Sequence, residues 1–264
     1  MNRERETVTR RPADRALTWL IVGVFVAGWE LAVRLHFASA TFLPPPTLIV
    51  ATLAESLWRG AMLENLRITL VRVSLGLGVG GGLGLVLGLA MGWSERVRTV
   101  IDPLIAALHP IPKLALLPLF MVFFGLDEAP KVIVIGATAL FPMLLNAAAG
   151  VRQISPVHFD VARNYGASRR QMLTRVVLPG SVPMVLTGLR LAGNVAFLSA
   201  IAVEMVGART GLGATLWFAW QTLRVDLLFA TLTLVALIGV SLNLAFRQLA
   251  RRGAPWLTER EVAI

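Results

Sequence analysis

The chain has 264 residues, 56% of them hydrophobic and 15% charged, with a formal net charge of +10 and no cysteine. At a mean hydropathy of +0.72 it carries more apolar surface than a soluble core of this length needs. Several apolar runs approach the roughly 20 residues that cross a bilayer, so the composition points to a polytopic membrane protein. Without cysteine there is no disulfide framework and no thiol chemistry. The three scattered histidines, His36, His109 and His158, make no cluster at metal-ligand spacing. The basic residues sit mostly beside apolar segments, where positive-inside topology accounts for them better than nucleic-acid binding does.

In chain order, residues 1–15 carry Arg3, Arg5, Arg10, Arg11 and Arg15 and read as a basic cytoplasmic tail. The Arg10-Arg11 pair, with Ala38-Ser39-Ala40 downstream, invites a cleaved-signal reading. The apolar run from Ala16 to Val33 is long for a signal core and more spans follow, so residues 16–42 are expected to be an uncleaved first span and its outer end. Residues 43–67 are expected to be an extracytoplasmic interfacial segment. Leu43-Pro44-Pro45-Pro46 forces extended chain, and Thr47 is expected to cap a short helix to Trp58 with Ile49, Val50, Leu53 and Leu57 toward one side. That helix either packs on the bundle at the outer surface or meets a docked partner.

Residues 68–246 form the expected core. Its first span, about Ile68 to Gly92, carries Gly76, Gly80, Gly84, Gly88 and Gly92 every four residues, with Gly78, Gly81 and Gly82 between. Such a stripe lets another helix approach closely and says nothing chemical. The next span, about Ile101 to Phe124, is broken by Pro103, Pro110, Pro112 and Pro118. Broken helix at membrane depth is either an ordinary kink or a pathway-lining segment. Further spans are expected over about Lys131–Ala149, Pro183–Val206 and Leu227–Phe246, followed by a cytoplasmic C-terminal tail at 247–264. Six spans place both termini and the central loop on one side. With Arg96 and Arg98 of the turn after Gly92, sixteen of the 25 basic residues fall on that side and four in the outer loops, with Arg34, Arg67 and Arg72 near outer span ends, which makes that side cytoplasmic.

The central loop, 151–182, is polar. Ser155-Pro156 can open a helix, Gly166 can turn the chain back at positive φ, and a second segment from Ser168 to Val177 places Met172, Leu173, Val176 and Val177 on one side. Pro179 and Pro183 mark entry to the fifth span. A helix–glycine–helix unit of this kind is a peg, with an apolar side for its own bundle and a charged side for something else. Deeper in the chain, Arg190 and Asn194 lie one turn apart. They either line a pathway suited to an anionic solute, or Arg190 snorkels or braces the loop. Glu204 reads as a packing or gate anchor, and Gly211 and Gly213 as a tight outer turn or an ordinary loop.

The loop resembles the signature of binding-protein-dependent ABC importer permeases: E-A-A, three residues, G, nine residues, I, one residue, L-P. Asp160, Val161, Ala162, Gly166, Val176, Leu178 and Pro179 match with the spacing intact, Asp standing for Glu and Val for the first Ala. Leu43-Pro44, Arg72-Val73-Ser74, Ile111-Pro112, Leu114 to Leu119, Phe124 to Glu128, Phe141-Pro142, Arg163 to Ala167, Glu204 and Gly211-Leu212-Gly213 are similar to the nitrate/taurine/aliphatic-sulfonate branch.

The resemblance implies an all-α, six-span type I importer permease (a MetI-like bundle) in the bacterial cytoplasmic membrane. It also implies a second copy of the permease, two cytoplasmic ATPases that bind the ATP, and an extracytoplasmic binding protein delivering a small, anionic organic solute. By position, Asp160, Ala162, Arg163, Gly166, Arg169, Arg170, Leu178 and Pro179 are the expected ATPase-coupling residues. Pro112, Pro118, Asn146, Arg190, Asn194 and Glu204 are the candidate pathway residues. No cofactor is expected in the chain: its two lysines, Lys113 and Lys131, follow no glycine of the G-x-x-x-x-G-K-[ST] kind. The same importer class with a vitamin or pyrimidine-precursor cargo is an alternative, as is a stand-alone ion-coupled transporter.

Overall fold

The computed structural model describes residues 12–253. Among them every regular element is helical. The helices are α1 (Pro12–Arg34), α2 (Pro46–Trp58), α3 (Ala61–Gly76), α4 (Gly82–Trp93), α5 (Glu95–Leu108), α6 (Leu117–Phe124), α7 (Glu128–Arg152), α8 (Pro156–Asn164), α9 (Arg169–Met172), α10 (Leu178–Gly207), α11 (Leu212–Gln221) and α12 (Val225–Gly253). Five continuous stretches are long and apolar enough to cross a membrane, and α5 with Lys113–Phe124 passes the same test only as a pair bent by 81° at its break, the shape of a broken sixth span or of a re-entrant loop. The architecture is the expected all-α membrane bundle.

The bundle is built around α7. Its Val134, Ile135, Ala139, Leu144 and Ala147 are sealed from solvent, and so are Ala192, Ala196 and Ala200 of α10. Small residues on α10 let the two axes approach, so this is the most extensive helix pair. On the other side α7 receives the glycine stripe of α3 and α4. A Cβ at Gly80 would collide with the carbonyl of Gly136, one at Gly84 with that of Leu140, and one at Gly88 with that of Leu144. Gly78 and Gly82, off the stripe, face open space. Between α3 and α4 the chain makes one π-helical turn, Leu77–Gly81.

Several expected boundaries move. Pro103 is accommodated inside α5 and Pro118 sits in the first turn of α6, where a missing N–H costs nothing. The break therefore falls at Pro110 and Pro112. Thr47 does not cap α2: Pro45 holds the cap position and provides no side-chain acceptor. The amide and hydroxyl of Thr47 go instead to the Glu30 carboxylate of α1, at 3.1 and 2.8 Å. On α2, Ile49 is buried and Val50 points outward. Pro183 lies within α10, and α12 continues through Arg247 to Gly253. Most of the expected N-terminal tail, and the C-terminal segment beyond Gly253, lie outside the described residues.

Candidate functional site

At one end of the bundle the chain leaves α7 and forms the peg. Pro156 opens α8, as its fixed φ suits a first helical turn. Gly166, at φ +72°, closes it. The amide of Ala167 donates to the Ala162 carbonyl and that of Gly166 to the Arg163 carbonyl, both at 2.9 Å, the paired bonds of a Schellman stop. No atom would crowd a Cβ at Gly166, so its glycine is required by backbone conformation alone.

Two residues on, Ser168 starts α9 with a capping box. Its Oγ accepts from the Gln171 amide at 3.3 Å, and Gln171 Oε1 accepts from the Ser168 amide at 2.8 Å. The S-x-x-Q spacing of Ser168 and Gln171 is the sequence signal of this box, which the expectation built on Gly166 does not include. Met172 and Val177 then turn into the bundle. A π-helical turn, Leu173–Val177, leads to Leu178 and Pro179 at the head of α10. Pro179 has no N–H for the carbonyl four residues back, which helps account for the widened turn.

Of the expected coupling residues, Asp160, Arg163, Gly166, Arg169, Arg170, Leu178 and Pro179 are exposed and Ala162 is half-buried. Asp160 and Arg163 form an ion pair at 3.5 Å. Tyr165, 88% exposed, stands at the tip. Between the peg and the Trp93–Arg96 turn lies an open cleft of 1010 Å³, lined by Trp93, Arg96, Arg152, Phe159, Asp160 and Arg169 among others.

Glu204, near the other end, is fully buried, and its carboxylate is completely engaged. It accepts from Arg72 Nη1 at 2.8 Å, from the Thr69 hydroxyl at 2.9 Å and from the Gly213 amide at 2.9 Å. Arg72, 2% exposed, also donates through Nε and Nη2 to Glu128 at 2.5 and 2.7 Å, and through Nη1 to the Thr210 carbonyl at 2.7 Å. Lys131 Nζ reaches Glu128 at 3.2 Å. Two acids and two bases cancel. Gly211, at φ +111°, packs so closely that a Cβ would strike the Glu204 carboxylate.

The network ties α3, α7, α10 and the turn into α11, so Glu204 lies inside the packed bundle as a brace. Arg72, Glu128, Glu204 and Gly211-Leu212-Gly213 were each conspicuous in the sequence. Their meeting was not, because Arg72 is 56 residues from Glu128 and 132 from Glu204.

The remaining candidate pathway residues do not converge on one site. Arg190 Nε donates to Asn243 Oδ1 at 2.8 Å, joining α10 to α12. Asn194 is half-buried one turn further on. Asn146 donates to the Pro142 carbonyl at 2.8 Å and faces Gly188 of α10. Pro112 and Pro118 flank the break before α6.

A greasy helical bundle with stretches long and apolar enough to cross a membrane, and one rigid polar peg at an end, defines an integral membrane protein with a polar contact surface outside the bilayer. The model of the family described as "binding-protein-dependent transport system inner membrane component" matches residues 80–256, and the chain belongs to that family. It is 34% identical over 254 residues to the taurine transport system permease protein TauC of Escherichia coli K12, covering 94% of this chain and 92% of that protein. It is 33% identical over 260 residues to the aliphatic sulfonates transport permease protein SsuC of Bacillus subtilis 168, described as putative, covering 97% and 94%.

Among solved structures, an amino acid ABC transporter with histidines superposes at TM-score 0.61 and 20% identity, over 78% of this chain and 98% of that one. The inward-facing MetNI methionine ABC transporter superposes at 0.58 and 17%, over 75% and 97%. At those identities the superpositions speak for the fold, which is the type I permease bundle.

Proposed function

We propose that this chain forms, with a second copy, the translocation pathway of an ATP-driven importer for a small organic anion of the sulfonate class, and that the Asp160–Pro179 peg couples it to a cytoplasmic ATPase. The cargo class rests on the names of the relatives similar to it along most of its length, a taurine permease and an aliphatic-sulfonate permease. The coupling role rests on one observation: an exposed helix, a Schellman stop at Gly166 and a capped second helix make a rigid peg with polar residues outward. A peg of that kind suits a helix-in-groove contact.

Two ATPases hold the ATP, since the chain has no phosphate-cradling loop of its own, and a binding protein delivers the solute from outside. Residues 43–67 face that protein's side, and the 151–182 loop and both termini face the cytoplasm, a placement that the distribution of basic residues supports. ATP binding closes the ATPases, the pegs move with them, and the bundle switches from inward- to outward-facing.

Gly166→Leu in the assembled transporter tests the coupling. Leucine at that φ costs about 1–2 kcal/mol and displaces the second helix of the peg. ATP hydrolysis should continue while sulfonate uptake falls by about tenfold or more. Uptake at the normal rate would show that the peg does not couple.

A further inference from the structure

The open cleft of 1010 Å³ between the peg and the Trp93–Arg96 turn carries a surplus of positive charge. Four arginines and two carboxylates line it, and both carboxylates are engaged, Asp160 with Arg163 at 3.5 Å and Glu95 with Arg98 at 3.7 Å. The other three, Arg96 of α5, Arg152 at the end of α7 and Arg169 of α9, are exposed. Among the described residues none of them makes an ion pair. Three unpaired guanidiniums lining one space suit an anion, and a phosphate above all, because the planar fork of nitrogens matches its oxygens.

The depth of the cleft points to the source of that phosphate. Trp93 ends the stretch Ala61–Trp93 and Arg152 ends Glu128–Arg152, both long and apolar enough to cross the membrane. Both ends border the cleft, so it opens where apolar helices leave the bilayer, at the level of phospholipid head groups. Tryptophan and basic side chains gather at that level. Val151, Ile154, Phe159 and Met172 give the same cleft an apolar wall. A free phosphate would leave that wall bare, and a zwitterionic lipid would bring its own cation up to the arginines.

We propose that the cleft binds an anionic phospholipid from the leaflet on the peg side, its phosphate met by Arg96, Arg152 and Arg169 and the first methylenes of its chains by the apolar wall. Basic pockets at the ends of membrane helices hold acidic head groups in this way. Arg96 and Arg152 belong to the bundle and Arg169 to the peg, so a lipid held by all three fixes the angle of the peg on the bundle. The lipid site stands by itself; its effect on ATP hydrolysis rests on the coupling reading above.

The test uses the full chain in the detergent-purified transporter with its ATPases. Phosphatidylglycerol brominated high on its acyl chains should quench Trp93 emission, read as the difference between the parent and Trp93→Phe. Brominated phosphatidylcholine should not. Arg96→Gln combined with Arg152→Gln should raise the phosphatidylglycerol needed by about tenfold or more, and Arg96→Lys with Arg152→Lys by no more than about threefold. In nanodiscs, adding phosphatidylglycerol to phosphatidylcholine should raise binding-protein-stimulated ATP hydrolysis by about threefold in the parent and leave the glutamine double variant within about 1.5-fold.

Equal quenching by the two lipids, or unchanged quenching in the glutamine double variant, would overturn the site. Inorganic phosphate that reverses the quenching as readily as unbrominated phosphatidylglycerol would overturn the lipid as its occupant. So would quenching that is present in the permease alone and lost in the assembled transporter, since an acidic segment of the ATPase would then fill the cleft. Quenching that follows the arginines while hydrolysis ignores the lipid would keep the site and overturn its hold on the peg. A peg shown by Gly166→Leu not to couple would leave the quenching intact, so the two failures are told apart.

Discussion

Removing one member of the Arg72 network leaves different residues stranded, and that ranks the substitutions. Without Arg72, the buried Glu204 carboxylate keeps only the Thr69 hydroxyl and the Gly213 amide. Without Glu204, Arg72 still holds the half-exposed Glu128 through two nitrogens. Arg72→Leu is therefore expected to cost about 3–5 kcal/mol, the usual penalty for orphaning a buried charge. Glu204→Leu should cost about 1–3 kcal/mol, and the double variant less than Arg72→Leu alone. Thermal unfolding of the detergent-solubilised protein measures all three; a double variant worse than both singles would mean that packing, not charge, sets the cost. Gly211→Ala should belong with the damaging changes, since its Cβ would meet the same carboxylate at a φ of +111°. None of this ranking was legible in the sequence, where the participants are single polar letters in distant apolar runs.

At the level of the helix, the sequence speaks wherever the determining residues are neighbours. The four-residue glycine stripe predicted a close helix contact, and α7 makes that contact at Gly136, Leu140 and Leu144. Gly166 predicted a turn at positive φ, which the chain makes. The break in the bent span is less legible: four prolines are equally able to make it, but Pro118 sits in a first turn, where a helix tolerates it, and Pro103 is carried inside α5 without ending it. Thr47 does not cap α2 because a cap needs its backbone position as well as its side chain, and Pro45 already holds that position. The stripe carries a paired prediction. Gly84→Val drives a side chain into the Leu140 carbonyl and should cost about 1–3 kcal/mol or more. Gly82→Ala, two residues away, faces open space and should be neutral or stabilising by up to about 1 kcal/mol, through helix propensity. Equal losses of folded protein in detergent would mean that the stripe is not the contact that holds α4 on α7.

Across the whole molecule, the bent pair decides the topology. Between the α2 segment and the peg the chain passes through α3 and α4, then α5 to α6, then α7. If the bent pair crosses the membrane, three crossings separate the two regions and they face opposite sides. If it folds back as a re-entrant loop, which an 81° bend allows by shape, two crossings separate them and they share a side. The charge distribution favours the first case, because it gathers sixteen basic residues on the peg side. Trp58, 92% exposed at the end of α2, and His158, exposed on α8, are suitable reporters, and the cysteine-free chain allows each to be replaced singly. In intact cells a membrane-impermeant thiol reagent should label Trp58→Cys and leave His158→Cys untouched, and inside-out vesicles should reverse the pattern. Labelling of both from one side would make α5 and α6 a re-entrant pair and place the termini on opposite faces. Labelling of His158→Cys from outside would remove the peg from the compartment that holds ATP, and the coupling role with it.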